Sequence, residues 1–161
     1  MYITFDEYTA LYPQIEETVF NRLSYDACRR IDRLTTGIDG VKKLKTAFPT
    51  DEDSAQAVKH CVAKIINLLL QIQEAETSAS LERGYIQTEN GLQGKVISSV
   101  SAGNESISFA TGSARASAID AAVSDLSARD NLIYSTVREY LSGVQDANGV
   151  NLLYMGVYPR V

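Results

Sequence analysis

The sequence predicts a mainly α fold: a small helical bundle with a β-hairpin or glycine-rich loop inserted in it and an extended C-terminal tail. Three observations predict it. Apolar residues recur at three- and four-residue steps over 16–36, 54–81 and 114–142. The stretch 84–112 holds half of the chain's ten glycines and has no helical period. Gly143, Gly149, Gly156 and Pro159 forbid a regular helix at the end. With 161 residues, 45% of them hydrophobic and 22% charged, a single domain over 1–161 can bury a real core.

The first helix is expected from Phe5 to Pro13, because Thr4 and Glu7 have the spacing of a capping box and Ile3 and Tyr8 that of a hydrophobic staple. A second helix is expected from Glu16 to Thr36, with Phe20, Leu23, Ala27, Ile31 and Leu34 on its apolar face and Gly37 as its stop. The third, 54–81, follows the acidic run Asp51-Glu52-Asp53, which favours a helix N-terminus. Its polar residues (Gln56, His60, Lys64, Asn67, Gln71, Glu74) form one narrow stripe, so nearly all the rest of its surface asks for cover. Helices two and three should form the core, with Ile31, Ile65 and Leu69 among the most buried residues.

Within 84–112, residues 96–100 and 106–109 flank Ala102-Gly103-Asn104 as a β-hairpin would. Helical signal returns over 114–143 as one helix or two, with Ile119, Val123, Leu126, Ile133, Val137 and Leu141 on its face and Asp130-Asn131 as the expected break. The tail 150–161 is apolar and extended. Segments of that kind add a strand to a sheet edge or fill a groove on another chain. Leu152, Leu153, Tyr154, Met155, Val157 and Tyr158 are therefore the candidate assembly interface, lying outside the domain's own core; the alternative is that they fold back as a strand on the same domain's helices.

Fifteen basic against twenty acidic residues give a net charge of −5, which argues against general avidity for nucleic acid or anionic lipid. No apolar run exceeds four residues, and MYITFDEY lacks the charged-then-apolar order of a signal peptide. A soluble cytosolic protein with no membrane partner is expected.

Chemistry-bearing residues are few. Cys28 and Cys61 show no metal-ligand spacing and read as small hydrophobes of the core. The one histidine, His60, falls on the polar stripe of the third helix, and neighbouring helix positions point in different directions, so His60 and Cys61 do not pair. Neither glycine-rich phosphate motif occurs. No catalytic, cofactor or metal residues are assigned, and the chain is expected not to be an enzyme; an enzymatic reading would require a site around Cys28, Cys61 or His60. Arg29, Arg30, Arg33, Lys42, Lys43 and Lys45 place six of the fifteen basic residues within 17 positions. They are a candidate contact for DNA or a partner. The plainer reading has them complement a helix C-terminus and snorkel along the surface.

Taken in order, YITFDEYTALYP, FNRLSYDACRRIDRLT, AVKHCVAKIINLLLQ, VISSVSAGNESISFA, VREYLSG and LLYMGVY are similar to the pattern of the head-to-tail connector (adaptor, or head completion) proteins of tailed bacteriophages and prophages. The stretch from Gly112 to about Asp130 reads as an insertion relative to that family. The resemblance implies a structural virion protein of the phage neck, assembled in the host cytoplasm. It implies self-association into a ring, in that family commonly of twelve subunits, beneath the portal protein and above a downstream neck (stopper) or tail protein. DNA would pass through the channel without sequence-specific binding, and no cofactor is implied. The alternative is a small helical DNA-binding regulator that uses the basic 29–45 region.

Overall fold

In a computed structural model, the backbone is described for residues 1–81, 83–88, 91–96, 99–102, 105–108 and 117–159, and side chains for 1–77 and 117–159. The described chain is mainly helical: α1 (Phe5–Thr9), α2 (Glu17–Thr35), α3 (Lys43–Thr46), α4 (Glu52–Leu81), α5 (Ala118–Ser124) and α6 (Leu126–Leu141). Between α4 and α5 the backbone forms two antiparallel strand pairs, Arg83–Thr88 with Gly91–Val96 and Ser99–Ala102 with Glu105–Ser108. The turn residues Gly103 and Asn104, and parts of both strands of the expected hairpin, lie outside the described residues, as do Arg160 and Val161 at the tip of the tail.

The capping box forms as the spacing requires. Glu7 N donates to Thr4 Oγ1, and Thr4 N donates to the Glu7 carboxylate. Ile3 and Tyr8, the staple pair, are both in the core. The helix is shorter than expected, because the chain turns at Ala10 and Leu11, where Leu11 N bonds back to Tyr8 O.

Helix α4 is the axis of the bundle and packs against α2, α5 and α6. Val58, Cys61, Val62, Ala63, Ile65 and Ile66 are buried among Phe20, Leu23, Ala27 and Ile31 of α2 and Ile133, Val137 and Leu141 of α6. Gln56, His60, Gln71 and Glu74 of the polar stripe are exposed. Leu69, expected among the most buried residues, packs only at the edge of this core.

The break in the last helical stretch falls at Asp125 instead of Asp130-Asn131. Asp125 is extended (φ −133°, ψ 120°), closes α5, and caps α6 by accepting from Ser127 N at 2.8 Å. Asp130 stays helical because its carboxylate is engaged by Arg30 of α2 at 3.0 Å and does not compete for its own backbone. Restarting the helix at Leu126 leaves that side chain 72% exposed, off the apolar face on which the sequence period placed it.

Burial separates two substitutions in α4. Ile65→Ala should cost about 2–5 kcal/mol and Leu69→Ala clearly less, both read by chemical denaturation. Tyr8 is fully buried against Tyr12 and Phe20, yet its hydroxyl has no hydrogen-bond partner among the described residues. Tyr8→Phe removes that unpaired group and should raise stability by about 1 kcal/mol; a loss would mean the hydroxyl is satisfied in solution.

Candidate functional site

The C-terminal segment is held by the rest of its own chain at both ends of its apolar run. After α6, Gly143 takes φ +83°, and Gln145 and Asn151 form an antiparallel bridge around a tight turn. Asp146 organises that turn. Its Oδ1 accepts from Asn148 N and Val150 N, both at 2.9 Å, and its Oδ2 accepts from the Tyr158 hydroxyl at 2.7 Å. Burial, and next the bond to Asp146, push the Tyr158 hydroxyl above its ordinary pKa.

The second anchor is Lys43. Its side chain is fully buried, and Nζ donates to the carbonyls of Leu152, at 3.1 Å, and Tyr154. Burial lowers its pKa, opposed by the carboxylates of Asp146 and Asp39. Alongside, Ile38 N donates to Met155 O at 3.1 Å and Tyr158 N to Asp39 Oδ2 at 2.8 Å, which holds the Asp39 carboxyl below its ordinary range. Gly37 sits where a Cβ would lie 2.6 Å from Gly156 O, so the two loops meet only because position 37 has no side chain.

This geometry divides the six tail residues. Leu152 belongs to the core and Tyr158 is buried, so the expectation that the tail stands apart from the chain's own core fails for both. The reason is Lys43, which draws the chain back through its carbonyls. Leu153 is half-buried. Tyr154, Met155 and Val157 face outward, and Ile38, 80% exposed, joins them through the Ile38–Met155 bond. Sequence reading missed Ile38: a single apolar residue in a turn has no period to betray it.

The basic cluster does not form one surface. Lys43 is unavailable to DNA or a partner for the reason just given. Lys45 pairs with Asp32 at 3.2 Å, and Arg30 with Asp130. Arg29 lies over the Tyr25 ring at 5.8 Å, while Arg33 and Lys42 are exposed. Arg129, brought in from α6, joins Arg29, Arg30 and Arg33 around one groove.

A groove of about 620 Å³ lies beneath the N-terminus, where Tyr2 stacks on Phe48 and donates to Asp32 Oδ1 at 2.5 Å. Cys28 lines it. Cys28 and Cys61 are free thiols; burial pushes both pKa values up, that of Cys61 to about 12, so the protonated form of each is favoured. His60 is exposed beside Glu7 and Lys59, which pair with each other at 2.6 Å. Among the described residues no group of three or more His, Cys, Asp or Glu could hold a metal ion, and no helix is long and apolar enough to cross a membrane.

What these features define is a small, mainly helical domain whose most evident surface feature is an anchored, outward-facing apolar strip. No family model matches the chain, and no curated protein or solved structure matches it.

Burial of Cys61 has a pH signature. Its thiol ionises near 9.0 in the unfolded chain and near 12 when folded, so its contribution is fully present below about pH 9 and is lost as the pH rises towards 12. Chemical denaturation at about pH 8 and about pH 10 should show a fall that is shallower in Cys61→Ala.

Proposed function

We propose that the chain is a head-to-tail connector subunit: a structural virion protein that forms a ring beneath the portal, joins phage head to tail, and extends the DNA channel. It would act in the virion neck after assembly in the bacterial host cytoplasm, meeting the portal above and a neck or tail protein below. The observation that carries this reading is the order of the sequence blocks ending in YLSG and LLYMGVY. The strip of Ile38, Tyr154, Met155 and Val157 supports it, because these apolar side chains stand in water on a backbone held by Lys43, Asp39 and Asp146, a preformed surface for another chain. The acidic net charge suits a channel through which DNA slides without sticking.

Leu152 lies in the core, so deleting 150–161 would damage the subunit itself and could not separate docking from folding. Ile38→Asp combined with Met155→Asp touches only the exposed strip. The doubly substituted subunit should keep its melting temperature and lose ring formation on the cognate portal, read by particle imaging of the mixture. Rings of normal appearance would remove the strip from the assembly interface.

A further inference from the structure

We propose that the groove between α2 and α6 is a docking site for an acidic amphipathic segment of a partner protein, whose carboxylates meet arginines of α2 and whose aliphatic side chains cover Leu126. The inference goes beyond the connector reading and does not rest on it.

The groove, about 450 Å³, takes Arg29, Arg30 and Arg33 from α2 and Arg129 from α6. Against these four cations its walls carry two carboxylates, Asp26 and Asp130, so the local sign is the reverse of the chain's net −5. Two of the guanidiniums are engaged in building the groove. Arg30 pairs with Asp130 across it at 3.0 Å, and Arg129 bonds Glu76 and donates from Nε to Ala122 O at 3.0 Å. The other two face solvent. Arg33 and Arg29 make no ion pair among the described residues, and Arg29 lies over the Tyr25 ring. Four positions apart on one helix, they share a face. A neighbouring cleft that shares Arg30, Arg33 and Asp130 extends this surface to Tyr134, whose ring lies under Arg138 at 5.8 Å.

A guanidinium fork fits phosphate and carboxylate alike, so other features must choose between nucleic acid and protein. Asp26, Asp130 and the net charge weigh on any anionic partner alike, so the apolar flank of the groove decides. Leu126 at the groove and exposed Tyr134 in the adjoining cleft gain nothing from phosphate, whereas the apolar side chains of a protein segment would cover them. Arginine and tyrosine are also the residues enriched at the energetic centres of protein interfaces. A helix laid in such a groove presents side chains at three- and four-residue steps, enough to meet Leu126 and the Arg29–Arg33 face together.

The test uses the full chain and three fluorescein-labelled probes in anisotropy titrations at about 0.1 M salt. One is a peptide with leucine at helical spacing and glutamate elsewhere, the second the same peptide with glutamine for glutamate, and the third a short duplex DNA. The glutamate peptide should bind at least about tenfold more tightly than either of the others. Arg33→Gln should weaken it by about tenfold, and Arg33→Lys severalfold as well, because lysine keeps the charge but not the fork. Leu126→Ser should weaken it severalfold. Lys42→Gln, outside the groove, should leave it unchanged. All three positions are exposed, so unchanged melting temperatures confirm that binding alone is read. The proposal is overturned if the glutamate peptide fails to bind, if DNA binds more tightly, or if Lys42→Gln weakens binding as much as Arg33→Gln does.

Discussion

The fold is governed by the need to cover α4. A helix apolar on nearly every side except one narrow stripe cannot lie on a surface; it must be enclosed. α2 covers one side and α5 and α6 another, while Leu152 from the C-terminal segment joins the same core. The ion pair between Lys59 of α4 and Glu7 ties α1 to the same axis, and Tyr8 of α1 reaches Phe20 of α2 with ring centroids 5.3 Å apart. Short elements such as α1 and α3, which could not persist alone, are held by what they pack against.

The Lys43 ammonium has a comparable role at the C-terminal end. Burying a cation is costly unless its donors are satisfied, and two backbone carbonyls supply that satisfaction. The exchange is mutual. The carbonyls of an irregular segment find a donor, and Lys43 finds acceptors, with Asp146 and Asp39 close enough to favour its charge. An apolar run that would otherwise be free is thereby divided into an inward part, Leu152 and Tyr158, and an outward part, Tyr154, Met155 and Val157. A surface held in this way loses less conformational entropy on docking than a free tail would.

The two surfaces singled out differ in chemistry. The strip around Ile38 and Met155 is apolar and backbone-anchored. The α2–α6 groove is cationic with aromatic and aliphatic flanks, and its walls are joined by Arg30–Asp130. Both draw residues from segments far apart in the chain, and in each the decisive neighbour was absent from the sequence reading: Ile38 in one, Arg129 in the other.

The sequence by itself determined the local features. The Thr4–Glu7 capping box, the extents of α2 and α4 to within a few residues, the core face of α2 and the polar stripe of α4 all follow from short-range hydrogen bonding and from a period that one helix imposes on its own residues. Only the tertiary structure decided where Lys43 goes, since a lysine in a basic run reads as solvated until a distant backbone offers carbonyls. It also decided that Leu152 is core, that Leu69 lies at the edge, and that the helix breaks at Asp125, where Arg30 relieves Asp130 of any local role. Each of these outcomes depends on partners a hundred residues apart or on which of several apolar faces finds cover. Periodicity carries no record of either, because it reports the geometry of one element and not the competition between elements for the same buried space.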